Sequence, residues 1–266
     1  MHSIGVVGCG TLGQTVIRAS AEGRLRVAVA GVCSRSEAKA RDFLATLPEP
    51  PPFLSLDALI ERSDLIVETA GPEIVPLLAE RTFAAGKDLL VISVGALLDR
   101  PDLMELARQR NCRLILPSGA IAGLDGVKAA CRGAVERVLI TTRKPPRGLA
   151  GAPYLARNGI SLAGLSRETE VYYGPVREAC RGFPDNVNVA ATVSLAGLGP
   201  DRTQIRILAV PGLLRNCHTV DVEGDFGRFA LQIENIPTEN PKTGRLTALS
   251  ILQSIADAAD PVRIGG

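Results

Sequence analysis

Two groups of residues in this sequence have types and spacings suited to chemistry. Gly8, Gly10 and Gly13 stand in the run Gly8-Cys9-Gly10-Thr11-Leu12-Gly13, directly after an apolar stretch at 3–7. A first glycine permits a tight turn, a second lets the backbone approach a pyrophosphate, and a third lets the next helix pack closely on the strand. The amides of Thr11 and Leu12 open that helix, where the helix dipole favours phosphate. The second group lies near the other end. His218, in Asn216-Cys217-His218, is one of only two histidines. Imidazole is the side chain that exchanges a proton most readily near neutral pH. The other histidine, His2, sits at the chain start and reads as a bystander. Lys242 and Thr243 open the last helical pattern, where a cation and free amides suit a substrate carboxylate.

The glycine turn points to a dinucleotide, and the end of the second strand bears on which one. An acid there would hold the adenosine ribose of NAD. The sequence has Val32-Cys33-Ser34-Arg35-Ser36 instead. Ser34 and Arg35 suit a 2′-phosphate, so NADP is expected to be accepted alongside or instead of NAD. Ala70 and Gly71 follow the third strand, in Glu68-Thr69-Ala70-Gly71-Pro72, and are small enough to let the nicotinamide half approach. Ser118-Gly119-Ala120-Ile121-Ala122-Gly123 either lines a cleft or links two domains. Phe183-Pro184-Asp185-Asn186-Val187-Asn188 opens a helix, whose Asn188 either donates to cofactor or substrate or caps the helix.

These residues need a frame, and the pattern supplies one. Apolar runs at 3–7, 25–32, 65–68, 88–93 and 113–116 alternate with helical patterns at 12–21, 36–47, 55–62, 72–85 and 100–110, Ser36 being placed to cap the second. Short links between such elements imply a parallel, doubly wound α/β sheet of the Rossmann kind. Beyond about residue 120 the pattern changes. A strand at 137–143 is followed by a Pro/Gly-rich stretch at 144–153, a helix at 188–198, and strand-like runs at 203–210, 217–223 and 228–234. This predicts a second α+β domain with a mixed or antiparallel sheet. The expected division is 1–120 for the dinucleotide domain and 121–240 for the substrate and oligomerisation domain. A last helix within 241–266 is expected to pack back on the first.

Composition excludes several classes. The 266 residues carry a net charge of +2, without a basic stripe interleaved with aromatics, which argues against nucleic-acid binding. Six cysteines without a CxxC pair argue against a zinc ribbon, so no metal is expected; they read as small buried hydrophobes in a reducing compartment. No apolar window approaches a membrane span, and no signal peptide is legible. A cytoplasmic protein is expected.

GCGTLG at the start, PSGAIAGLDG in the middle, FPDNVNVAATVSLAGLG, the NCH tripeptide and NPKTGRL together make the chain resemble the L-aspartate dehydrogenase family over nearly its whole length. The resemblance implies reversible oxidative deamination of L-aspartate through iminosuccinate to oxaloacetate and ammonia, with NAD or NADP, linked to NAD biosynthesis. It places the acid/base histidine at His218 and cofactor contacts at Ala122 and Asn188. It further implies a homodimer whose second-domain sheet helps form the subunit contact. A reductase of iminosuccinate or another dicarboxylic imine, and a non-catalytic dinucleotide sensor, are the alternatives. A sensor needs the glycine turn but not His218 together with the NPKTG segment.

Overall fold

The structure is a computed structural model that describes residues 3–184, 187–236, 244–262 and 264. Its contacts divide the chain into two units. One runs to Pro117 and takes in the C-terminal helix from Ala248; the other begins at Ser118 and runs to Thr247.

The first unit alternates β1 (Ser3–Val7), α1 (Thr11–Ala21), β2 (Ala28–Cys33), α2 (Glu37–Leu44), α3 (Leu56–Arg62), β3 (Leu65–Glu68), α4 (Val75–Ala84), β4 (Asp88–Val91), α5 (Pro101–Gln109) and β5 (Leu114–Ile115). All pairings are parallel, in the order β2-β1-β3-β4-β5. Side chains alternate across each strand, so the same strands feed two apolar layers. Ile4, Val6, Leu65, Val67 and Leu90 meet Val16 and Ile17 of α1, Phe43 of α2, and Ile251 and Ile255 of the C-terminal helix, Arg245–Ala259. Val7, Ile66, Leu89 and Val91 meet Leu59, Leu78, Phe83 and Leu103 of α3, α4 and α5. Arg113 ties the C-terminal helix down, donating to Ala258 O at 3.2 Å while paired with Asp88 at 2.6 Å. A cation at a helix C-terminus is favourably placed against its dipole.

The second unit contains α6 (Leu124–Ala130), β6 (Val135–Lys144), α7 (Pro146–Leu149), α8 (Pro153–Arg157), β7 (Thr169–Pro175), α9 (Val176–Gly182), α10 (Asn188–Ala196), β8 (Gln204–Ala209), β9 (Asn216–Gly224) and β10 (Gly227–Asn235). Its sheet has the order β10-β9-β6-β8-β7, with β6 and β8 parallel and the other neighbours antiparallel, so it is mixed. One face is apolar through Val138, Ile140, Ile205, Ile207, Val220 and Val222, all essentially buried. Tyr154, Tyr172 and Phe183 form an aromatic cluster with ring centroids 5.1–5.9 Å apart. These edge-on and tilted contacts anchor the chain just ahead of α10.

The local readings need five corrections. The strand expected at 113–116 is only Leu114–Ile115, because the Arg113 amide and side chain are committed to Asp88. Edge strand β7 went unread: its Gly174-Pro175 end and the bulge between Glu170 and Tyr172 break the alternation that sequence reading relies on. The stretch at 144–153 is not simply irregular, since Lys144 completes β6 and α7 starts at Pro146, a position where proline suits a helix start. Ser36 occupies the N-cap of α2 without making a side-chain cap bond. The six cysteines are free, but only Cys180 is buried; the other five are half-buried.

Candidate active site

The glycine turn sits where the sheet reverses its winding, between β1 and β3. In open α/β sheets ligands bind outside the strand carboxyl ends at such a point. Gly8 has φ +101°, and a Cβ there would lie 2.7 Å from the Thr69 carbonyl carbon. Thr69 locks the junction: its amide donates to Val7 O at 2.8 Å and its hydroxyl to Gly8 O at 2.9 Å. A Cβ at Gly13 would collide with Gly8 O. Gly10 differs, because nothing lies within 4 Å of where its Cβ would be. It is exposed at the N-cap of α1 and makes no side-chain cap bond. Two glycines thus serve close packing of the protein against itself, while the third leaves space for a ligand above the helix N-terminus. The residues fit a dinucleotide pyrophosphate.

Behind the turn lies a buried carboxylate, Glu68, at the end of β3. It is 0% exposed. Oε1 accepts from the amides of Ala70 and Gly71, both at 2.8 Å, and from the Ser93 hydroxyl at 3.1 Å. Oε2 accepts from the amides of Ile92 at 3.1 Å and Ser93 at 2.9 Å. Burial pushes this carboxyl up from its ordinary range, and the surrounding donors pull it back. Glu68 therefore fastens the β3 end to the β4 end and sets the course of Ala70, exposed, and Gly71, at φ +112°. The sequence shows Glu68 only as the last residue of a strand; of its five donors, the amides of Ile92 and Ser93 and the Ser93 hydroxyl are brought in by folding.

At the end of β2, Gly8 N donates to Cys33 O at 2.8 Å. Ser34 follows half-buried and Arg35 exposed. The next carboxylate, Glu37, is paired with Arg41 at 2.7 Å within α2. Serine and arginine thus occupy the place where an acid would meet the ribose.

In the second unit His218 lies mid-sheet on β9, between Ile233 of β10 and Thr142 of β6. It is 3% exposed, and Nδ1 lies 3.1 Å from Thr142 Oγ1. Side chains two residues apart share a face. Thr142 and Lys144 of β6, Asn216 and His218 of β9, and Asn235 of β10 therefore form a polar end to an otherwise apolar sheet face. All five are buried. Desolvation, and then the Lys144 cation, push the His218 ring down from 6.5 to about 3, so it is neutral at physiological pH. Asn235 Nδ2 donates to Ala120 O at 2.7 Å, which ties the Ser118–Gly123 loop to this end of the sheet. Ala122, two residues further on, is exposed, and Gly123 enters α6 with φ +73°. Asn188 is the first residue of α10; its carbonyl accepts from the Thr192 hydroxyl at 3.0 Å, and the N-cap position belongs to Val187.

Two sets of predicted residues are thus gathered separately: Gly8, Gly10, Thr11, Leu12, Gly13, Ser34, Arg35, Ala70 and Gly71 in the first unit, and Ala122, Asn188 and His218 in the second. Lys242 and Thr243 lie outside the described residues. Sequence reading missed Thr142, Lys144 and Glu68. Thr142 and Lys144 carry one signal, a two-residue spacing that sets both on one face of a strand; without the register nothing pairs them with His218.

Comparison with known proteins gives a consistent result. The family model described as aspartate dehydrogenase, C-terminal, matches residues 125–258, and that described as homoserine dehydrogenase, NAD binding domain, matches residues 8–117. The chain is 43% identical to an L-aspartate dehydrogenase of Methanosarcina acetivorans, covering 100% of both chains. It is 41% identical to L-aspartate dehydrogenase 3 of Bordetella bronchiseptica, over 98% of this chain and 97% of that one. The crystal structure of aspartate dehydrogenase from Thermotoga maritima matches the fold with a TM-score of 0.77 at 24% identity, covering 100% of both. A homoserine dehydrogenase structure from Thiobacillus denitrificans matches with a TM-score of 0.61 at 14% identity, over 98% of this chain and 74% of that one. A dinucleotide turn at the switch point, a buried neutral histidine on a mixed sheet, and full-length identity of this order lead to one assignment: the chain belongs to the aspartate dehydrogenase family.

Proposed function

We propose that this protein is an NAD(P)-dependent L-aspartate dehydrogenase. The observation that carries it is His218, a neutral, buried imidazole held by Thr142 at the polar end of the second sheet, in a chain that also keeps an open Gly10 above a helix N-terminus. The overall reaction takes L-aspartate, oxidised cofactor and water to oxaloacetate, ammonium, reduced cofactor and a proton. When bound, the nicotinamide accepts the hydride from Cα of the amino acid. Gly8, Gly10, Gly13 and the amides of Thr11 and Leu12 seat the pyrophosphate, and Glu68 fixes the turn that carries Ala70 and Gly71. Ala122 and Asn188 are the candidates for the nicotinamide end, and Lys242 and Thr243 for a substrate carboxylate. His218 takes a proton from the substrate ammonium or from the water that attacks the imine. For Nε2 to act as that base, the ring proton must sit on Nδ1 and be donated to Thr142 Oγ1.

Ser34 and Arg35 support use of NADP as well as NAD. The family resemblance supports a homodimer, a cytoplasmic location and a product that feeds NAD biosynthesis; no helix among the described residues is long and apolar enough to cross a membrane. Initial rates with L-aspartate and each cofactor, and with oxaloacetate plus ammonia in reverse, test the activity. Absence of turnover in both directions would refute it. In His218→Ala, kcat is expected to fall about 10²–10⁴-fold with cofactor affinity unchanged.

A further inference from the structure

We propose that Asn235 is a positioning residue: its side-chain amide fixes the 118–123 loop, and with it Ala122, against the strand that flanks His218. The inference rests on the dehydrogenase reading above and adds the residue that holds the candidate nicotinamide contact in place beside the candidate base.

The loop needs a tether. It runs from Ser118 to Gly123 without helix or strand. Among the described residues, no backbone–backbone hydrogen bond reaches Ser118, Gly119, Ala120, Ile121 or Ala122. Two contacts from β10 pin the loop instead. A Cβ on Gly123 would collide with Leu231. Asn235, the last residue of the strand, donates from Nδ2 to Ala120 O at 2.7 Å. Leu231 and Asn235 lie on the same face of β10, with Ile233 between them, and Ile233 stands opposite His218. The loop is therefore held on either side of the strand position that neighbours the imidazole.

Asn235 is buried, as is Ala120. A buried amide is costly to leave unbonded, and a bond shielded from water keeps its direction because little solvent competes for either group. The same side chain meets a third segment. A Cβ on Gly244 would lie 3.0 Å from Asn235 Cβ and 3.2 Å from its Cγ, so the chain packs tightly on this amide just before the C-terminal helix. One side chain thus touches the loop that carries Ala122 and the chain that follows Lys242 and Thr243, on the strand paired with that of His218. Rates of group transfer depend steeply on placement, and a misplacement of about 1 Å costs about 10²-fold. Asn235 sets where Ala122 stands relative to His218, and so where the nicotinamide end is received.

The test uses the full-length protein. The single-turnover rate of cofactor reduction by L-aspartate is followed by stopped-flow absorbance in wild type, Asn235→Ala and Asn235→Asp. Each rate is divided by bound cofactor, so that only folded protein counts. Asn235→Asp keeps the shape that packs on Gly244 and removes the donor. In both variants the rate is expected to fall about 100-fold. The cofactor dissociation constant stays within about threefold, because the pyrophosphate seat belongs to the first unit. The second readout needs no aspartate: the fluorescence of bound NADH shifts toward that of free NADH in both variants. A merely structural role lowers the unfolding temperature but moves neither the rate per bound cofactor nor this fluorescence. An Asn235→Ala rate per bound cofactor within about threefold of wild type, with NADH fluorescence unchanged, overturns the proposal. So does an Asn235→Asp protein that matches wild type, since packing without the donor would then suffice. If NADH fluorescence depends on Asn235 in this way and wild type does not oxidise L-aspartate, the activity falls and the tether stands.

Discussion

Replacing Glu68 by glutamine changes one oxygen to an amino group and alters little else in shape. In the native arrangement both oxygens face donors: the amides of Ala70 and Gly71 and the Ser93 hydroxyl on one side, the amides of Ile92 and Ser93 on the other. A glutamine amide has one acceptor oxygen. Whichever way it turns, its NH2 points at two backbone amides, and both lose their acceptor. Each orphaned buried donor costs about 1–3 kcal/mol, so Glu68→Gln is expected to lose about 2–6 kcal/mol of stability. Asparagine and aspartate are too short to restore the bridge. Urea unfolding followed by circular dichroism measures the loss. Titration of NADH fluorescence at low denaturant should show weaker binding as well, because the Ala70-Gly71 turn is held by the same carboxylate. A Glu68→Gln protein within about 0.5 kcal/mol of wild type, with unaltered cofactor affinity, would refute the view that this carboxylate sets the strand ends.

Three other outcomes follow from the same geometry. Gly10→Ala should leave stability within about 0.5 kcal/mol, since its Cβ meets open space, yet weaken cofactor binding; Gly8→Ala, at φ +101° against Thr69, should lose about 2 kcal/mol or more, and equal stability of the two variants would contradict the division of roles. The His218 ring titrates at about 3 when folded and near 6.5 when unfolded, so its contribution is complete above about pH 6.5 and lost as pH falls toward 3. Linkage gives a loss of about 3 kcal/mol between pH 7 and pH 4, which His218→Gln should abolish; parallel pH–stability curves for the two proteins would speak against a buried neutral ring. Arg35→Ala should lower kcat/KM with NADP about tenfold, the loss of one charge-assisted bond of about 1.4 kcal/mol, while NAD changes by less than about twofold; equal effects on both cofactors would remove Arg35 from the 2′-phosphate.

The glycine turn, the parallel first sheet and the candidate histidine are legible in the sequence because each depends on local information. GxGxxG between a strand and a helix is one continuous segment, and the apolar runs of a sheet covered on both faces stand out by themselves. The family motifs extend this reach to Ala122 and Asn188, which no spacing rule selects. Tertiary structure alone decides what surrounds these groups. Glu68 becomes a strut only when β4 delivers the amides of Ile92 and Ser93, and Gly10 is separated from Gly8 and Gly13 only by what the folded chain places over each. His218 is one residue in a tripeptide until the register of β9 against β6 sets it beside Thr142, with Lys144 two residues further along the same face. Strand register is a long-range pairing, and burial is a property of the assembled sheet. The sequence therefore names the candidate base, but its neutral state and its neighbouring cation arise from packing that joins residues more than seventy positions apart.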